Sequence, residues 1–248
     1  MSDYIEGKRP IIEALRTHVP ISCVLLADNM KRDSLIEDIE RKARQANVPV
    51  KTVRRRELDE KSERGSHQGV MAQTKSFNYT NVQTIIDAAN AHAAEHDGSA
   101  LIVLLDHITD AGNLGAIARS AEVVGASGLI IPNKRSAHVT AATYKSSAGA
   151  ISHLNVCQVA NLAQTIQRLK EADFWVAGAS EHASECIWDS NLKGKLVLVM
   201  GNEGDGLARL TAEICDFLVK LPQEGQVGSL NVAQAATACM YEYSRQNR

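Results

Sequence analysis

The chain has 248 residues, 44% of them hydrophobic and 23% charged, with a formal net charge of -2. That length fits one large domain or two small ones with ample core, and the composition is ordinary for a soluble globular protein. No apolar run approaches the ~18 residues of a membrane span and no signal-peptide core follows Met1, so the expected location is the cytoplasm.

In chain order, Pro10–Arg16 has helical apolar spacing at Ile11, Ile12 and Leu15, and Ser22–Ala27 reads as a strand. Asp33–Ala46 reads as a helix with Leu35, Ile36, Ile39 and Ala43 on one side. Val48–Val53 and Gly69–Gln73 read as strands around a short helix near Glu57, which makes residues 1–75 a small α/β unit. This unit carries 15 Lys/Arg against 12 Asp/Glu, whereas residues 76–248 carry 12 against 17. Its basic run, Lys51, Arg54, Arg55, Arg56, Lys61 and Arg64, is close enough to neutralise several phosphates if the side chains share a face. The interleaved Glu57, Asp59, Glu60 and Glu63 describe a solvated surface equally well. His67-Gln68-Gly69 reads either as an RNA-contact turn or as the polar start of a strand.

Lys75–Val82 has no sustained period and reads as a linker before an alanine-rich helix over Val82–Glu95, so residues 76–96 separate the first unit from a second over 97–248. In that second unit, strands are expected at Leu101–Leu105, Gly128–Ile131, Asn155–Val159, Phe174–Ala179, Leu196–Met200 and Phe217–Leu221. These apolar runs lack alternation, the pattern of a parallel sheet covered on both faces. Helices are expected to begin near Asn113, Leu162 and Asn231, the last reaching about Gln246. The rhythm by itself implies ordinary doubly wound topology.

Two glycine turns follow apolar strands: Gly201-Asn202-Glu203-Gly204-Asp205-Gly206 after Met200, and a stretch through Gly225 and Gly228 into Ser229-Leu230-Asn231 after Leu221. Such turns put bare main chain at the carboxyl ends of strands, where open α/β sheets bind ligands. The spacing G-x-x-G-x-G differs from the dinucleotide fingerprint, which speaks against a nicotinamide oxidoreductase, and a tight strand-to-helix connection explains one such turn on its own. A third segment, Asp106-His107-Ile108-Thr109-Asp110-Ala111-Gly112-Asn113-Leu114-Gly115-Ala116-Ile117-Ala118-Arg119-Ser120-Ala121, opens a helix of small residues interrupted by one long cation. Asn113 fits the helix N-cap, and Arg119 fits either an exposed surface position or a functional one. There is no nucleophile elbow, Walker A lysine or H-E-x-x-H. The 8 histidines lack metal-ligand spacing, and the 5 cysteines include no C-x-x-C, so they read as scattered buried thiols in a reducing compartment and no metal is expected.

Taken in order, the three segments resemble the motifs of the SpoU/TrmH family of RNA ribose 2′-O-methyltransferases, nearest its bacterial 23S rRNA guanosine branch. The likeness is strong over roughly the last 150 residues and weaker over the first 75. It departs from the family at Ala111, where the first motif usually has proline, and at Ala233-Gln234.

The resemblance implies a cofactor, S-adenosylmethionine, held by main-chain groups and apolar contacts at Gly201, Leu221 and Leu230, with Glu203, Gly204 and Ser229 beside them. It implies a catalytic set of Arg119, Asn113, Glu203, Ser229 and Asn231, with Arg119 near the ribose 2′-hydroxyl and Asn231 orienting the arginine or the ribose. For Asn231 a helix N-cap, and for Glu203 a water-facing turn, are the structural alternatives. Arg119 would serve as general base or, because a guanidinium keeps its proton to about pH 12, as an electrostatic stabiliser of the developing alkoxide. The implied fold is an α/β domain whose segment Gly225–Arg248 threads a deep trefoil knot, bringing the two glycine turns side by side, preceded by a small α/β RNA-binding domain. The implied partners are RNA, 23S rRNA in the nearest branch, and a second copy of the chain. A tRNA or resistance-conferring rRNA methyltransferase, and a non-catalytic RNA-binding or ribosome-assembly protein, are the alternatives.

Overall fold

The computed structural model describes residues 4–62, 66–226 and 229–248, so Glu63, Arg64 and Gly228 lie outside the described residues. The first unit contains β1 (Tyr4–Glu6), α1 (Lys8–Arg16), β2 (Ile21–Ala27), α2 (Ser34–Gln45), β3 (Val50–Val53), α3 (Arg55–Lys61) and β4 (Val70–Thr74). Its sheet has the order β1-β4-β2-β3, with β4 antiparallel to both neighbours and β3 parallel to β2. Strand β1 has no counterpart among the sequence expectations, because three residues carry no readable period. Helix α2 starts where Asp33 accepts a hydrogen bond from the Ile36 N–H, and it buries Ile36, Ile39 and Ala43.

The second unit runs α4 (Val82–Glu95), β5 (Ala100–Leu105), α5 (Ala111–Val123), β6 (Gly128–Pro132), α6 (Ala141–Ser146), β7 (Val156–Val159), α7 (Leu162–Glu171), β8 (Trp175–Ala179), β9 (Glu185–Cys186), β10 (Lys195–Met200), α8 (Arg209–Ile214), β11 (Phe217–Lys220) and α9 (Val232–Gln246). Its seven-stranded sheet is parallel throughout, in the order β7-β6-β5-β10-β8-β11-β9. All of β5 is buried, and β10 is buried from Leu196 onward, as continuous apolar strands covered on both faces require. Helices α4 and α7 cover one face with Ile85, Ile86, Ala89 and Ile166. The opposite face packs against α5 and α9 through Leu114, Ile117, Ala118, Ala236 and Met240. Short elements α6, α8 and β9 escaped the sequence reading because each spans six residues or fewer.

Two features differ from the sequence expectations. Lys75–Val82 is an ordered strap: the Lys75 N–H donates to Pro20 O (2.7 Å), the Thr80 N–H to Val156 O (2.8 Å), and the Tyr79 hydroxyl accepts from the Val139 N–H (2.9 Å). It lacks a period because bridging contacts rather than a regular element hold it. Helix α4, placed with that linker by sequence, buries Val82, Ile85, Ile86, Ala89 and Ala93 against the large sheet.

Candidate functional site

Because the large sheet is parallel, the loops after β5, β6, β10 and β11 leave it at one edge. The loop after β10 closes on itself: the Asn202 N–H donates to Gly206 O (2.8 Å) and the Gly206 N–H to Asn202 O (3.0 Å). A Cβ on buried Gly201 would lie 2.5 Å from Gly206 O, so glycine is required there by the loop's own closure. Gly206 has φ +69, the left-handed region that glycine enters freely. The exposed Gly204 N–H donates to Asn202 Oδ1 (2.9 Å), which leaves the neighbouring Glu203 carboxylate at the surface.

Asp110, not Asn113, caps α5: its Oδ1 accepts the Asn113 N–H at 2.7 Å, with Ala111 as the first helical residue. Asp is at least as good a cap as Asn. Freed from that role, the Asn113 side chain joins the loops. Its Nδ2 donates to Glu203 Oε1 (2.8 Å) and its Oδ1 accepts from Asn231 Nδ2 (3.0 Å). Asn231 is also the N-cap of α9, accepting the Ala233 N–H at 2.9 Å, so its two roles coexist. Strands β10 and β11 are not neighbours, since β8 lies between them. The loops nevertheless converge, because Asn113 bridges them.

Leu221 is half-buried against the core, whereas Leu230 is 50% exposed and Ser229 is exposed. Main-chain groups of residues 222–226, 229 and 230 have no hydrogen-bond partner among the described residues. Free peptide donors and acceptors beside an exposed leucine suit a flat heteroaromatic ring with a donor and acceptor edge. These residues therefore fit the adenosyl group of S-adenosylmethionine.

Arg119 stands apart from this cluster. It lies six residues beyond Asn113 on α5, about 9 Å along the axis and about 120° around it. It is exposed and forms no ion pair among the described residues. Ser120, its neighbour, hydrogen-bonds Thr237 of α9 (2.7 Å), which locks the two helices together.

Sequence reasoning assigned no role to Asp106 and His107. Asp106 is 1% exposed and ties both ends of the β10 loop to β5. Its Oδ2 accepts the Ala208 N–H (2.8 Å) and its Oδ1 accepts His107 Nδ1–H (2.5 Å). His107 has φ 61, and its carbonyl accepts Asn202 Nδ2 at 2.7 Å. A buried carboxylate is tolerable only with such partners. Lys134 and Arg135 are a second pair that the sequence reading did not single out. They are exposed on the loop after β6, which is fastened to the β5 loop by Ala137 N–H donating to Ile108 O (2.7 Å). Their signal was two adjacent cations directly after an apolar strand.

The cysteines play no part here. All five are free thiols, and burial pushes Cys215 and Cys239 up to about 12, where the nucleophilic thiolate is scarce at neutral pH.

Residues 100–241 match the SpoU rRNA Methylase family, and residues 4–80 match the RNA 2′-O ribose methyltransferase substrate binding family. The chain is 37% identical over 243 residues to the putative TrmH family tRNA/rRNA methyltransferase YacO of Bacillus subtilis, covering 98% of this chain and 95% of that protein. It is also 37% identical over 216 residues to the 23S rRNA (guanosine-2′-O-)-methyltransferase RlmB of Vibrio vulnificus, covering 87% and 85%. Among solved structures it is similar to the SpoU methyltransferase AviRb of Streptomyces viridochromogenes in complex with AdoMet, with TM-score 0.71 and 26% identity over 99% of this chain and 90% of that one. A parallel sheet with its loops gathered at one edge and matches across both units lead to one conclusion: the chain belongs to the SpoU rRNA methylase family.

Proposed function

We propose that this protein methylates the ribose 2′-hydroxyl of a guanosine in 23S rRNA. The coarser activity, S-adenosylmethionine-dependent RNA 2′-O-methylation, follows from the family and from the AdoMet-bound relative. The finer target rests on the likeness to the Vibrio vulnificus enzyme, and the Bacillus subtilis relative supports tRNA as the second reading. The observation that carries the reading is the Glu203–Asn113–Asn231 bridge, which joins the first turn of α5 to the loops after β10 and β11 beside unpaired main chain.

Bound cofactor supplies a methyl group on a sulfonium sulfur, which leaves neutral and needs no metal. The chain's own residues then have three tasks. Gly201, Gly204, Leu221, Leu230 and Ser229 form the shelf for the adenosyl part, and Glu203, Asn113 and Asn231 hold the loops in register. Arg119 stabilises negative charge developing on the 2′-oxygen while water or a phosphate oxygen takes the proton. A guanidinium that keeps its proton suits this role better than that of a base. Exposed Lys134 and Arg135 extend the positive field along the same edge for backbone phosphates.

Arg119 faces away from its own loop cluster, which supports a site shared between two copies of the chain. Arg119 and Val123 on α5, with Tyr241 on α9, leave an exposed stripe for that contact. The trefoil knot belongs to the same reading. Its support is that α9 ends against the segment before β10, where Leu192 N–H donates to Gln246 Oε1 (2.9 Å) and Gly194 N–H to Asn247 Oδ1 (2.9 Å). Residues 1–75 are then the RNA-binding domain and 97–248 the methyltransferase domain, in the cytoplasm. Mapping 2′-O-methyl groups on rRNA and tRNA from a strain lacking the protein tests the target; loss of a tRNA methyl group with 23S rRNA intact would replace the first reading by the second. Sedimentation at micromolar concentration tests the pairing, and a fully active monomer would refute it.

A further inference from the structure

Between the four-stranded unit and the large sheet lies a groove of about 1030 Å3. Helix α1 and β1 form one wall, α6 forms the other, and the strap around Phe77 closes the floor. Arg9, Lys75 and Lys145 line it; all three are exposed, and none is in a salt bridge among the described residues. The two carboxylates in the groove are already engaged. Both oxygens of Glu13 accept from Arg16, at 2.8 and 3.0 Å, and this partner holds the Glu13 carboxyl below its ordinary range. Glu6 Oε2 accepts the Ser62 hydroxyl at 2.7 Å. The Ser62 hydroxyl is neutral and leaves the Glu6 charge in place, so Arg9, Lys75 and Lys145 against that one carboxylate give the groove a net positive charge. Its floor is apolar: Phe77 meets Tyr79 and Tyr144 edge-on, with ring centroids 5.0 and 6.4 Å apart.

We propose that this groove binds a single-stranded stretch of RNA flanking the methylated nucleotide, with phosphates on Arg9, Lys75 and Lys145 and bases over the Phe77 floor. The inference rests on the reading of the chain as an RNA methyltransferase and gives that substrate a place on the molecule. A cationic rim above an aromatic and aliphatic floor is the combination that single strands require, since their bases present open faces. An A-form duplex hides those faces and would leave the floor uncovered. The groove is also continuous with the candidate site. Helix α6, which carries Lys145, backs onto the start of α5: a Cβ at Gly115 would fall 2.6 Å from Thr143 O, and Ser146 Oγ donates to Ala111 O at 3.5 Å. Lys134 and Arg135 are exposed on the loop between β6 and α6, whose later residues Val139 and Thr140 line the groove. Both units contribute walls, so neither binds this stretch alone.

The test uses the full chain and a fluorescently labelled single-stranded RNA of about 12 nucleotides, within the span such grooves occupy. Anisotropy is measured across a salt series for the parent, the Lys75→Glu/Lys145→Glu double variant, and Lys193→Glu, an exposed cation at the opposite edge of the sheet. The double variant should bind about tenfold more weakly, with a log–log salt slope shallower by about 1.4, as the loss of two single-strand phosphate contacts demands. Lys193→Glu should match the parent, and calorimetric S-adenosylmethionine binding should be equal in all three, which confirms folding. Equal RNA affinity and salt slope for the double variant and the parent would overturn the groove. Two further outcomes separate the groove from the activity. If the parent methylates RNA while the double variant binds normally, the groove fails and the function stands. If the parent binds through these lysines but methylates no ribose, the groove stands and the function fails. Stronger binding of a polyglutamate peptide than of RNA at the same lysines would assign the groove to an acidic protein partner and overturn the proposal.

Discussion

In the large sheet every strand points the same way, so the loops after β5, β6, β10 and β11 meet at one edge. In the four-stranded sheet β4 runs against both β1 and β2, and its loops are divided between two edges. The first arrangement concentrates main-chain groups, amides and a carboxylate in one place, which is what bond-making chemistry needs. The second spreads its charge over an outer surface. Arg56 and Lys61 are neutralised by Glu60 (2.9 Å) and Glu57 (3.7 Å), while Lys51, Arg54 and Arg55 on and beside edge strand β3 have no ion pair among the described residues. On the function proposed above, one sheet serves reaction and the other holds a polyanion.

The sharpest way to break that division is Arg119→Ala. Methyl transfer should fall about 100- to 1000-fold, the usual cost of removing one donor aimed at developing charge, while S-adenosylmethionine affinity is unchanged. Arg119→Lys should rescue poorly because the planar fork is lost. Single-turnover kinetics with labelled cofactor measure both, and turnover within threefold of the parent would remove Arg119 from the chemistry. Next in size is the opposite unit: Lys51→Glu/Arg54→Glu/Arg55→Glu should weaken RNA binding by at least tenfold, raise KM and leave kcat at saturation unaltered. A fall in kcat with normal RNA affinity would show that the two sheets do not divide the work this way.

Asn113→Ala unties Glu203 from Asn231 and should weaken cofactor binding about tenfold, as expected for losing a hydrogen bond to a charged group, with calorimetry as the check. His107 separates backbone from side chain. The left-handed φ costs a residue with a Cβ about 1 kcal/mol or more, and glycine avoids that cost. His107→Gly should therefore be more stable than His107→Ala by about 1 kcal/mol and retain cofactor affinity, since the carbonyl still faces Asn202. Equal losses in denaturant melts and cofactor titrations would mean that the imidazole matters and the loop conformation does not. Smallest is Asp110→Ala, which removes the α5 cap and should cost about 1 kcal/mol of stability.

Much of this architecture was legible because parallel strands leave a strong trace. The continuous runs around Ala100–Leu105 and Lys195–Met200 lie within two residues of their expected limits, and α4 begins and ends as its period predicts. The order of those strands was not legible, since nothing local to Leu196–Met200 says that they insert between β5 and β8. At the candidate site, the motif residues Glu203, Asn113 and Asn231 meet across separations of 90 and 118 residues, which only the resemblance implied. The cap was assigned to Asn113 because Asn and Asp compete closely for that position, and the three-residue offset between them was invisible. Asp106 went without a role because its partner, the Ala208 N–H, is 102 residues away and leaves no mark on local pattern.

The position of β10 has a consequence for how the molecule is made. It is the middle strand of the seven, yet it is the sixth of them to be synthesised, and its first residue pairs with Ala100 across 95 positions of chain. Until Lys195–Met200 has left the ribosome, β5 and β8 have no neighbour to share and their facing edges are open. The four-stranded sheet, complete by Thr74, is free to fold well before that moment. Long-range closure of this kind is slow, because loop entropy must be overcome before any pairing rewards it. The loops after β10 and β11 are consequently among the last parts of the protein to acquire their shape, well after the four-stranded sheet can form.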